Sequence, residues 1–259
     1  MSPATLSAPD QAARDLILVL ADSKRLLGTR YAEWILGAPE LEAGIACASM
    51  AQDEWGHGRL LYALLKDFGD DTDRIEHGRA ASEYRNIEVL DKAPRSWPQL
   101  IVLNAFVDAA LTVQLEALRE SSYAPLRQRV AKLLDEETFH ARHGAAWLNR
   151  LAAAGAEAKQ QVADAARAAL PVILRWFGPD AGQGMELMGA GIANASGNGL
   201  RERFLARSAP LLAALGMAGD APPDFKGFDE VTRRGSGSAP DSATIQRIRG
   251  DKNRAYLVD

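Results

Sequence analysis

Apolar residues recur at intervals of three and four over most of this chain, the period of a helix with one buried face. The first such segment spans residues 11–36, where Leu16, Val19, Leu20, Leu26, Leu27, Tyr31 and Trp34 keep that spacing and Asp10 is the candidate N-cap. Gly37-Ala38-Pro39 closes it, and Pro39 suits the first turn of a second helix running to about residue 68. Residues 70–95 are charged and aperiodic, which predicts a crossover with short helical pieces. A third helix is expected from Ser96-Trp97-Pro98 to about residue 121, and a fourth from Ala124-Pro125 to about residue 154. A fifth, over residues 156–177, should kink or break at Pro171, and a shorter one follows near 199–215. Strand–helix alternation is missing, so the expected fold class is all-α, a four-helix bundle with additional C-terminal helices. Residues 1–9 read as a flexible N-terminus, 10–217 as one helical domain, and 218–259 as an extended tail over the bundle or a partner.

Two stretches on the second and fourth helices carry the chemistry: Asp53-Glu54-Trp55-Gly56-His57 and Glu136-Glu137-Thr138-Phe139-His140. Each is a Glu-x-x-His, whose carboxylate and imidazole leave one helix face a turn apart. Two such pairs on facing helices build a carboxylate-bridged two-metal site, completed by one further carboxylate from each remaining helix. Glu54, His57, Glu137 and His140 are therefore candidate metal ligands. Helices 1–2 and 3–4 read as two copies of one hairpin. In the second copy Asp108 lies in an apolar run on the preceding helix, 29 residues before Glu137, where an unpaired charge is costly; it is a candidate third-helix ligand, or else a helix-surface acid or a buried hydrogen-bonding residue.

The first copy departs from this. Counting back 29 or 30 residues from Glu54 reaches Arg25 or Lys24; the nearest acids are Asp22 and Glu33, and Asp22 points away from Lys24 and is a poor substitute. Lys24 has three readings. Its ammonium satisfies the acids as a cation would; or, made neutral by burial beside metal ions, it is a ligand or reactive amine; or it snorkels from the rim. Asp53 and Glu136 are either partners of the opposite histidines or solvated acids. Gly56 leaves space for a channel or for close helix packing, and Trp55, Phe106, Phe139 and Trp147 are expected in the core. His143 is a candidate outer residue one turn after His140, and His77 should be solvated.

Composition narrows the function class. A net charge of −4 with dispersed Lys and Arg gives no basic surface for nucleic acid. The single cysteine, Cys47, sits in an apolar run and is expected to be buried and unpaired, as in a reducing compartment. No apolar run is expected to reach the roughly 18 residues that span a bilayer, and the first residues lack the order of a signal peptide, so a cytoplasmic protein is expected.

With these residues in view, the chain resembles the phenylacetic acid catabolic protein family, and within it the A-type catalytic subunits of phenylacetyl-CoA epoxidases. The resemblance rests on Glu33-Trp34 with Ala38-Pro39, on Gln52-Asp53-Glu54-x-Gly56-His57-Gly58, and on Val107-Asp108. It continues in Glu136-Glu137-x-Phe139-His140-x-Arg142-x-Gly144, Phe177-Gly178-Pro179 and Leu200-Arg201-x-x-Phe204. It implies a ferritin-like fold, two iron ions, and iron ligands at Glu54, His57, Asp108, Glu137 and His140. The sixth ligand in that pattern is a helix 1 glutamate, and Lys24 stands there. Further implications are O2-dependent oxidation of an aromatic or acyl-CoA thioester, a related ferritin-like partner in at least a dimer, and a separate reductase. The alternatives are a non-catalytic subunit in which Lys24 replaces a metal, and a di-metal oxidase whose catalysis uses Lys24 with Asp108.

Overall fold

Ser7 starts the first helix: its hydroxyl oxygen accepts from the Asp10 N–H at 3.3 Å, Pro9 takes the first turn, and α1 runs Ala8–Ala32. The cap is therefore Ser7, not Asp10, whose carboxylate accepts from the Ser7 hydroxyl instead. The structure is a computed structural model and describes residues 6–219, 222–235 and 237–256; of the expected flexible N-terminus, residues 1–5 lie outside that range and Ala8 and Pro9 are already helical. From Ala12 to Tyr31 all but one residue of α1 is buried, with Asp15, Asp22, Lys24, Arg25 and Arg30 among the leucines. Such a helix is the axis of the fold, and its charges must be answered inside.

Against α1 packs α2 (Leu41–Tyr62), and the two approach so closely that a Cβ on Gly28 would stand 2.9 Å from the Ala51 carbonyl oxygen. A 3-10 turn, Ala63–Phe68, follows and ends at Gly69 with φ 85°. The crossover contains α3 (Thr72–His77) and further 3-10 turns, as its composition suggested. Asp22 fastens it: one carboxylate accepts from the Arg79 guanidinium, from the Arg85 N–H at 2.8 Å and from the Tyr62 hydroxyl at 2.5 Å. Asp22 thus serves the crossover and is no substitute ligand.

The third helix is α4 (Trp97–Val102), a π-turn over Leu103–Val107, and α5 (Asp108–Ala117). By length and composition Trp97–Ala117 would suffice to cross a membrane, contrary to the expectation from the sequence, but it is buried in the bundle. Next come α6 (Ala124–Ala153) and α7 (Ala156–Trp176). Pro171 does not break α7; it stands on the exposed face, where water can take the carbonyl it leaves unbonded. The Gly-rich stretch forms an unforeseen helix, α8 (Gly182–Gly189), before α9 (Gly197–Leu215).

The C-terminal segment is less extended than expected. It contains α10 (Ser242–Ile248) and a 3-10 turn, Asp251–Tyr256, and lies over the bundle. Arg234 is its anchor, paired with Asp91 at 2.5 Å and donating to the Asn86 carbonyl at 2.7 Å. Among the described residues no strand forms beyond one isolated bridge, Asp229 to Arg234, so the all-α class holds.

Asp22→Ala is expected to cost about 3–5 kcal/mol, because Arg79 would keep a buried charge without its carboxylate. Arg74→Ala, at the exposed pair with Glu83, should cost under about 1 kcal/mol. Urea unfolding measures both, and equal losses would contradict the assignment.

Candidate metal centre

Four helices converge on one buried cluster. Lys24 comes from α1, Glu54 and His57 from α2, Asp108 from the first turn of α5, and Glu137 and His140 from α6. The two Glu-x-x-His faces meet with ring centroids of His57 and His140 6.4 Å apart. The π-turn ends immediately before Asp108; its wider winding resets the register from which that carboxylate leaves the helix.

Lys24 sits at the centre. Its Nζ donates to Glu54 Oε1 at 2.8 Å, Asp108 Oδ1 at 3.1 Å and Glu137 Oε1 at 2.6 Å, three bonds for three ammonium protons. Its side chain is fully buried, so it does not snorkel. His140 Nδ1 lies 3.0 Å from Asp108 Oδ2 and 3.2 Å from Glu54 Oε1. The outer ring nitrogens are held crosswise: Glu136 on α6 meets His57 Nε2 at 2.6 Å, and Asp53 on α2 meets His140 Nε2 at 3.3 Å. Asp53 and Glu136 are therefore partners of the opposite histidines, and both rings turn Nδ1 inward.

Sequence reasoning missed three contributors. The Tyr31 hydroxyl donates to Asp108 Oδ2 at 3.0 Å. Asn104 donates to that hydroxyl at 3.1 Å, and its side-chain oxygen holds His143 Nδ1 at 2.8 Å. Thr112 reaches Glu137 Oε2 at 3.2 Å. A signal was present, since Tyr31 lies two turns after Lys24 and Thr112 one turn after Asp108 on the same faces. Phe106 and Trp147 are core residues, but Trp55 and Phe139 are 41% and 48% exposed, against expectation. Gly56 faces open space, so close packing does not explain it. His77 is part-exposed, and Cys47 is buried, with burial pushing its thiol up to about 11.

The cluster's electrostatics divide its members: Lys24, Asp108 and His140 are held charged, while His57, Glu54 and Glu137 are pushed towards neutrality. Burial would strip Lys24 of its proton, but Asp108, Glu137 and Glu54 outweigh it and hold the ammonium well above its usual range. With three carboxylates at hydrogen-bond distance and no metal beside it, Lys24 is held as the cation. Burial likewise opposes Asp108 ionising, yet Lys24 and then His140 carry its carboxyl well below the ordinary value. Burial lowers His57 and raises Glu54, whereas Glu137 is pushed up to about 8 by burial and then by Asp108. For His140, burial is overcome by Asp108 and Glu54, which bring it to about 11.

Iron, implied by the resemblance, meets a mixed donor set. One donor atom from each of Glu54, Asp108, Glu137 and His140 lies within 4.8 Å of the others, space for a single cation. Two irons do not fit these residues as arranged, because Nζ engages all three carboxylates that would have to bridge or bind them. Glu54 Oε2 is buried with no hydrogen-bond partner, and His57 Nδ1, 3.1 Å from Glu137 Oε1, makes no hydrogen bond of good geometry, a sign of unused ligand capacity.

Two Glu-x-x-His helices and a third-helix acid around a buried centre define a ferritin-like bundle of the carboxylate–histidine class. Residues 2–235 match the phenylacetic acid catabolic protein family, and the chain belongs to that family. It is 28% identical over 187 residues to the A-type subunit of 1,2-phenylacetyl-CoA epoxidase of Escherichia coli (strain K12), covering 71% of this chain and 60% of that protein. It is 30% identical over 136 residues to the C-type subunit from the same organism, covering 52% of this chain and 55% of that protein. The matched stretches thus span less than two thirds of either relative.

The His140 shift has a sign that can be measured. Its folded value is near 11 against an ordinary 6.5, so the folded chain keeps a proton that the unfolded chain releases between them. That stabilisation is complete below the unfolded value and is lost as pH rises through the folded one. The stability of the wild type relative to His140→Gln should therefore fall between about pH 6.5 and about pH 11 in urea unfolding. A difference independent of pH would refute the assignment.

Proposed function

We propose that this chain is a subunit of a phenylacetyl-CoA epoxidase-like assembly in which Lys24 holds the bundle centre in place of metal. The observation carrying this reading is the Lys24 ammonium bonded to Glu54, Asp108 and Glu137 together. A cation fixed by the chain itself answers the acids without iron, so the centre is a structural pin. On this reading oxygen chemistry on an aromatic or acyl-CoA thioester belongs to a metal-bearing relative in the assembly, with electrons from a reductase. Similarity to both an A-type and a C-type subunit supports membership of such an assembly.

A second reading, an iron-dependent oxygenase or oxidase in its own right, is favoured by the buried Glu54 Oε2 and His57 Nδ1, neither of which makes a hydrogen bond. There, Glu54, Asp108, Glu137 and His140 would hold an ion and His57 would add a donor, while the crossed acids orient both rings. Iron bound there would supply O2 activation; the chain's own part is to hold the ligands and exclude water. Lys24 and Asp108 are the groups that would then act at the site.

Metal analysis of the purified chain separates the two. The expected result is little iron in the wild type and a rise towards about two per chain in Lys24→Glu, which restores a fourth carboxylate. About two irons in the wild type, or no gain in Lys24→Glu with the bundle intact by circular dichroism, would overturn the pinned-centre reading.

A further inference from the structure

A cavity of about 610 Å³ opens between α4, α7 and the crossover, and none of its lining residues belongs to the Lys24 cluster. Its floor is apolar and built from small side chains: Val102 and Leu103 from the third helix, and Ala165, Ala168, Ala169 and Val172 from α7. The volume lies within the roughly 300–1,000 Å³ usual for small-molecule sites. The alanines matter because larger residues on that face would fill the space.

The charged groups around the opening are unequal. Its two acids are already matched: Glu88 meets Arg175 at 2.8 Å and Asp91 meets Arg234 at 2.5 Å. Lys92 and Arg95 also line the cavity, are exposed, and among the described residues have no carboxylate within ion-pair distance. Two unmatched cations thus stand over an apolar floor. Water satisfies them when the cavity is empty, so this polarity is compatible with a stable fold and complementary to a negative head group.

We infer that this cavity binds an amphipathic organic anion, with its apolar body on the alanine face of α7 and its head group between Lys92 and Arg95. The head group is a carboxylate or a phosphate, since both accept from a lysine and an arginine. The inference is independent of the metal content of the centre.

Calorimetric titration of the full chain with decanoate, decyl phosphate and decanol tests it. At least one anion should bind, about tenfold or more tighter than decanol, and the tighter anion names the head group. The double variant Lys92→Ala with Arg95→Ala should weaken that anion to the level of decanol. Ala168→Trp, at an exposed position on the cavity wall, should abolish binding while leaving the thermal melt in place. Failure of both anions to bind, decanol binding as tightly as they do, or full affinity in either variant would overturn the inference.

Discussion

One ammonium group and three carboxylates set the terms for the interior of this bundle. Four helices each place an ionisable group at a point no water reaches, and the isolated cost of any of them would be large. Lys24 makes the arrangement self-consistent, because each of its three protons meets an acid from a different helix. The cluster is specific before it is stabilising: buried ion pairs contribute little over an apolar core, but losing one partner strands the rest. Geometry at this centre therefore fixes the relative positions of α1, α2, α5 and α6.

A second buried network repeats the principle on the other side of α1. Asp22 gathers Arg79, Tyr62 and the Arg85 backbone, and Asp15 gathers Arg14 and Arg85. The crossover is long and aperiodic, yet it is held by polar contacts to a helix that already lies at the heart of the core. The tail uses the same device through Arg234, bonded to Asn86 and Asp91 of that crossover. Segments with few apolar residues are thus tied down by charges that α1 and the crossover present inward.

Much of this was legible in the residue order. Periodicity located the long helices, and the two Glu-x-x-His pairs located the centre, because helical spacing fixes which side chains share a face. The carboxylate missing from helix 1 was equally visible as Lys24. What Lys24 does was not legible, since its protonation depends on the distance to three acids that only tertiary packing decides. The π-turn before Asp108 left no periodic trace, being one added residue in an otherwise helical run. The break expected at Pro171 does not occur, because its place on the exposed face of α7, where water can take the freed carbonyl, is set by how that helix docks. The Gly-rich α8 escaped because glycine hides a short helix from any reading by propensity.

The crossed acids have a consequence for the outer surface. Asp53 grips the imidazole of α6 and Glu136 grips that of α2, so α2 and α6 are laced together through the two rings. Both acids are about one-third exposed at the side chain, 34% and 38%. Trp55, just beyond Asp53, and Phe139, one turn beyond Glu136, are exposed on the same two helices. A molecule resting there would press on the laces and not on the knot. The tilt of both inner rings would answer to events outside the bundle, with nothing having to enter it.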